Sequence, residues 1–248
     1  MIISKKHIFP ILFFVALFVS QCKKDDINET NSKITPNDFL SDKKYDQLII
    51  EIQYVEGFQP TSAALDNLKA FLEQRLNKSK GITIKQYSIS SPGKASYTLS
   101  DIKEIEKNNR INYSKDKTLT AYFLFADADY GENSGSSKVL GVAYGPTSMA
   151  VFEKTIREFS GGIGKPSNTS LETTVANHEF AHILGLVNNG TDLQSDHQDI
   201  NHGKHCNNSD CLMYYTAETS DIIANILGSG IPVLDSKCIS DLQANGGK

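Results

Sequence analysis

The chain has 248 residues, enough for one large domain, with 39% hydrophobic and 22% charged residues. Net charge is -4, so no basic excess argues for nucleic acid or anionic lipid as a partner. The bulk composition is that of an ordinary globular protein and excludes a repeat, fibrous or polytopic membrane chain.

The N-terminus departs from that average. Lys5, Lys6 and His7 precede an apolar run from Ile8 to Val19, too short to span a bilayer, which takes about 20 residues, but laid out as a secretory signal. The run ends at Val19-Ser20-Gln21-Cys22. This resembles a bacterial lipoprotein signal, in which the cysteine is lipidated, although small residues are usual where Gln21 stands. The expected organisation is therefore a signal over 1–21, a polar tether over 22–44 and one catalytic domain over 45–248. The domain is expected to be exported, in the periplasm or at the cell surface, and held to the membrane by a lipid on Cys22.

The elements then alternate. Leu48 to Val55 reads as a strand, Ala63 to Leu76 as a helix with leucines at helical spacing, and Ile82 to Ile89 as a strictly alternating, half-buried strand. Ser100 to Arg110 is expected to be helical, and Thr118 to Phe125, Val139 to Tyr144 and Ser148 to Phe152 to be strands. Thr169 with Glu172 three residues on has capping-box form, predicting a helix from there to about Leu186. A loop-rich stretch follows, then helices over Glu218–Leu227 and Ser236–Ala244. The order predicts an α+β fold: a mixed twisted sheet, one active-site helix, and a smaller irregular C-terminal subdomain.

That helix carries His178-Glu179-Phe180-Ala181-His182. At 100° per residue the two histidines fall about 40° apart, one turn above each other, so both imidazoles can reach one ion. Glu179 projects from a neighbouring direction, within reach of a metal-activated water. Five of the six histidines lie between 178 and 205, against a plain reading of core histidines and a solvated glutamate.

His178 to Gly185 resembles the helix of the metzincin clan of zinc peptidases, the zincin-like fold expected here. That clan places a third histidine three residues after the glycine, where this chain has Asn188. His205-Cys206, four residues, then Cys211-Leu212-Met213 resembles the archaemetzincin subfamily. The resemblance implies an insertion over 187–204, His205 as third zinc ligand and Met213 as the turn methionine; His197 stays open as the alternative ligand. It further implies a Zn2+-dependent endopeptidase acting on peptide or protein, with Glu179 as general base; Tyr214 and Tyr215 follow the methionine, where a tyrosine is either an oxyanion donor or a packing residue, packing being the favoured reading. Archaemetzincins hold a second zinc with four cysteines; only Cys206, Cys211 and Cys238 remain here, which favours one ion and a Cys206–Cys211 disulfide over metal ligation or free thiols, with Cys238 left free, otherwise paired or a metal ligand. The competing reading is an exported, non-catalytic binding protein with a structural or vestigial zinc site.

Overall fold

The computed structural model describes residues 34–133 and 137–248. The expected signal segment, most of the tether and Cys22 lie outside the described residues. In chain order the elements are α1 (Pro36–Leu40), β1 (Gln47–Val55), α2 (Ser62–Glu73), β2 (Ile82–Ile89), β3 (Ser96–Tyr97) and α3 (Leu99–Asn109). They continue with β4 (Thr118–Phe125), β5 (Asp129–Tyr130), β6 (Gly141–Ala143), β7 (Ser148–Val151), α4 (Glu153–Phe159) and α5 (Asn168–Ile183). Two 3-10 turns, Tyr215–Glu218 and Ser220–Ile222, lead to α6 (Ile223–Ser229) and α7 (Ser236–Ala244).

The main sheet runs β2-β1-β4-β7-β6, parallel except for the antiparallel edge strand β6. Its centre is apolar on both faces, as a sheet covered on both sides requires. Leu119, Ala121, Phe123 and Phe125 of β4 join the core that contains α5. Tyr122 and Leu124 face the other way, toward Ile102 and Ile105 of α3. The strands expected at 48–55, 82–89 and 118–125 thus form at those places to within a residue, because period-two patterning and β-branched content agree there.

Three expectations are corrected. The tether does not extend to residue 44. Pro36 to Leu40 form a short helix whose Phe39 and Leu40 are fully buried, and the Phe39 ring meets Phe180 of α5 edge-on at 5.7 Å. The buried Lys78 ammonium holds the segment by donating to the carbonyls of Asp38, Ser41 and Tyr45 at 2.8, 2.5 and 2.8 Å. The active helix also stops at Ile183, short of Leu186, and nearly every side chain from Leu171 to Ile183 is buried, since sheet, α2 and the C-terminal segments enclose it.

The third correction concerns the cap. Ser167, and not Thr169, caps α5 by accepting from the Ser170 amide. Glu172 instead reaches across to α2, where it accepts from the Thr61 amide at 2.9 Å and the Thr61 hydroxyl at 2.5 Å. Thr61 is the cap of α2, so this carboxylate ties the two helices. Glu153 lies beside it, fully buried. One of its oxygens accepts from Arg157 Nε at 2.6 Å and the other has no partner. Burial first, and the charge of Glu172 second, push the Glu153 pKa up to about 8.

The folded chain therefore keeps a proton on Glu153 that the unfolded chain has lost, between 4.5 and about 8. Stability from this group is greatest at low pH and falls as pH rises through that window. Glu153→Gln mimics the protonated form and still accepts from Arg157. It should stabilise the fold at pH 8–9 by on the order of 2–4 kcal/mol and flatten the decline. Urea midpoints from pH 5 to 9 measure this; identical pH profiles for both chains would rule it out.

Candidate metal centre

His178 and His182 project from the last two turns of α5, as their spacing requires. Their Nε2 atoms lie 3.0 Å apart. The chain then leaves the helix through Gly185, at φ +78°; a Cβ there would stand 2.6 Å from Pro36 Cγ and 2.8 Å from the Thr191 amide. Val187 and Asn188 are also left-handed, at φ 53° and 61°, which carries position 188 away from the histidines.

Residues 197–207 fold back as a pinned hairpin. Asp199 donates to the His205 carbonyl at 2.7 Å and Asn207 to the His197 carbonyl at 2.8 Å. This returns His205 to the helix. Its ring lies 5.3 Å from that of His178 and 5.0 Å from that of His182. His178 Nδ1 donates to the Leu212 carbonyl at 2.7 Å and His205 Nδ1 to the His202 carbonyl at 2.6 Å. With those N–H groups committed, the Nε2 lone pairs of both rings face the common centre.

Electrostatics agree with a cation site. Burial lowers the His178 pKa to about 4, and burial with the neighbouring rings holds His182 well below its ordinary value. Neutral imidazole is the ligating form. Burial alone would also lower His205, but the Glu218 carboxylate outweighs it, so the net direction is upward. His205 Nε2 and both oxygens of Glu179 are buried without partners. Buried polar atoms left unpaired around one point are what an ion and a reacting water would satisfy. The residues present therefore fit a zinc ion.

Glu179, His182, His205 and Glu218 line a cavity of 560 Å³, with Val142 and Ala143 of edge strand β6 on its rim. Glu218 was not anticipated from sequence. It ends a 3-10 turn, and nothing in its neighbourhood marks it except that it follows the methionine turn by five residues. Met213 is fully buried in a tight turn closed by the Tyr214 amide on the Cys211 carbonyl at 2.9 Å, and its neighbour Leu212 holds His178. Tyr214 and Tyr215 are not among the cavity-lining residues: Tyr215 stacks on His202 at 3.7 Å, and Tyr214 packs on Tyr215 at 4.7 Å.

Gly141, at the start of β6, faces Glu179. A Cβ at 141 would stand 2.6 Å from Val175 Cγ1 and 2.7 Å from Glu179 Oε1. Gly141→Ala must push the carboxylate aside without touching a histidine. Displacing a reacting group by about 1 Å can cost about 10²-fold in rate. We expect that loss in kcat with unchanged metal content; wild-type kcat would mean that Glu179 has room to spare.

The expected Cys206–Cys211 disulfide is not formed; Cys206, Cys211 and Cys238 are all free and buried. Their sulfurs point inward to a shared centre because α7 brings Cys238 to within 3.7 Å of Cys211. His197 belongs here and not with the other histidines. Its Nδ1 is 3.4 Å from Cys206 Sγ and 3.9 Å from Cys238 Sγ, while Nε2 meets buried Asp241 at 2.8 Å. Cys211 Sγ also accepts from the Met213 and Asp235 amides, both at 3.4 Å. The edge of a tetrahedron around zinc with sulfur at about 2.3 Å is about 3.8 Å, close to these separations. The ligand atoms of His197, Cys206, Cys238 and Asp235 all lie within 4.8 Å of one another; Asp235 also caps α7, and Cys211 joins the group through its 3.7 Å approach to Cys238.

A sheet with an antiparallel edge strand above a buried helix, and a histidine trio with a buried glutamate at the end of that helix, define a zincin-like fold. The structure of archaemetzincin from Methanopyrus kandleri shares it, with a TM-score of 0.54 and 15% identity over 81% of this chain and 96% of that one. Looser likenesses are a zinc-dependent peptidase from Methanocorpusculum labreanum (TM-score 0.46, 16% identity, 78% of this chain and 99% of that one) and metalloproteinase-II from Bacteroides fragilis (0.44, 16%, 84% and 55%). The fold assignment rests on the first. No protein-family model and no curated protein matches the chain in sequence.

Proposed function

We propose that the chain is a zinc-dependent endopeptidase. The observation that carries this reading is the convergence of the His178, His182 and His205 rings beside a buried glutamate whose two oxygens have no partner. Zinc held by the three imidazoles would supply a Lewis acid for the scissile carbonyl and a means of acidifying water.

The remaining work falls to the chain. Glu179 is the general base: burial, then the charge of Glu218, raise its pKa well above the usual carboxylate range, which makes it a stronger proton acceptor. It takes the proton of the attacking water and delivers it to the leaving amine. Leu212 and His202 orient two of the ligand rings through their carbonyls. Val142 and Ala143, on the open edge of the sheet and at the cavity rim, suit an extended peptide that adds as a further strand.

The thiol cluster fits a second, structural ion held by Cys206, Cys211, Cys238 and His197, with Asp241 fixing the imidazole. Cysteine counting argues against it, but His197 supplies the fourth donor. A closed four-ligand shell is what structural zinc sites have. The function is tested by cleavage of an unfolded polypeptide, which Glu179→Gln must abolish while keeping its metal. The non-catalytic alternative expects metal without cleavage in the wild type.

A further inference from the structure

Glu218 faces the histidine trio as a fourth polar group. Its carboxylate Oε2 lies 3.5 Å from His205 Nε2, 3.9 Å from His178 Nε2 and 4.0 Å from His182 Nε2. Because His178 and His205 commit their N–H groups to carbonyls, these contacts set lone pairs against a carboxylate. Acceptors that face one another in a buried space repel unless a cation lies between them. Around zinc with nitrogen and oxygen ligands at about 2.0–2.1 Å, a tetrahedron has edges of about 3.3–3.4 Å. The His182–His178 and Glu218–His205 separations, 3.0 and 3.5 Å, bracket this edge, those from Glu218 to His178 and His182, 3.9 and 4.0 Å, are longer, and all four ligand atoms lie within 4.8 Å of one another.

We propose that Glu218 is a fourth protein ligand of the ion, closing the site at rest, and that water and substrate gain the ion only when this carboxylate moves aside into the cavity. The proposal rests on the zinc reading above. A closed shell by itself would be inert, since catalysis needs an open position. Glu218 differs from the histidines in being able to leave. Its backbone is fixed, with its carbonyl accepting from Leu140 at 2.8 Å, but its side chain is 34% exposed and lines the cavity. Among the described residues its carboxylate is recorded against these three nitrogens alone. The exchange is a ligand substitution with no change of oxidation state. With zinc bound, the Glu218 carboxylate would give up its place to one neutral water, and the unit of negative charge it withdraws would leave a stronger Lewis acid for a carbonyl.

The test uses the protein loaded with Co2+, whose visible spectrum reports ligand number and charge, in wild type, Glu218→Ala and Glu218→Gln. The Gln variant keeps the side-chain volume and serves if the Ala variant folds poorly. Loss of a partner one shell out costs about 10–100-fold in metal affinity, so loss of a direct ligand should raise the dissociation constant at least about tenfold. The spectrum should shift in both variants, and azide should perturb it at lower concentration than in wild type, because the open position already exists. An unchanged spectrum and affinity in both variants overturns the proposal and leaves the zinc reading standing. A wild type in which the histidine trio binds no cobalt overturns both.

Discussion

Glu179→Gln should retain its zinc and lose peptide cleavage by about 10²–10⁴-fold, the range that one positioned acid-base group contributes. The substitution keeps the volume of a fully buried side chain at the floor of the cavity and leaves all three histidines untouched. What it removes is the capacity to carry a proton. In the native chain both Glu179 oxygens lack a protein partner, so no salt bridge or cap is lost that could unfold the helix. Zinc content by elemental analysis and kcat on an unfolded polypeptide check the two halves separately. A variant that kept its rate would sink the assignment of the base; one that lost its zinc would mean that Glu179 holds the ion.

The two clusters should also part company under mutation. Wild-type protein should carry two zinc ions. His205→Ala should lose one of them with all cleavage, yet remain folded, since His205 gives up its contacts to His202 and Glu218 and its packing on two neighbouring imidazoles, while its backbone hydrogen bond to Asp199 stays. His197→Ala should lose the ion of the thiol cluster and lower the melting temperature sharply. It strips Asp241 of a hydrogen-bond donor in a site where both side chains are fully buried, and leaving a buried acceptor unsatisfied costs about 1–3 kcal/mol before any loss of metal is counted. Thiolate-to-cobalt charge transfer in substituted protein distinguishes the ions: it should persist in His205→Ala and vanish in His197→Ala. One zinc in wild type, unchanged in His197→Ala, would leave the thiols without metal.

The parts of this molecule that were legible in sequence are those whose signal is local. His178 and His182 share a helix, so spacing alone sets their geometry, and β2 and β4 announce themselves by alternation and apolar content. Helices α1 and α4 were missed because five and seven residues are too few for a 3.6 period to show. The choice between His205 and His197 could not be made from spacing, because a hairpin sends two histidines eight positions apart to different centres. The disulfide expectation failed for a related reason: Cys206 and Cys211 are near in sequence, but Cys238, from the terminal helix, changes what their sulfurs can do. Glu218 carries no motif at all; its place depends on the turn geometry after Met213 and on the pairing of residues 218–220 with 138–140.

The segment from His205 to Met213 serves both centres at once. His205 looks into the cavity and its neighbour Cys206 into the thiol cluster; Cys211 closes the cluster while Leu212, one residue on, steers His178. The ends of the segment are buttoned together by the Cys206 amide on the Met213 carbonyl at 2.7 Å. With an ion on those sulfurs, oxidants or strong chelators that never enter the cleft would therefore disarm it, since the nine residues that would let go of the thiol cluster also carry His205 and the prop of His178. Because both clusters hang on this one segment, whatever order one site lends the other is returned in equal measure.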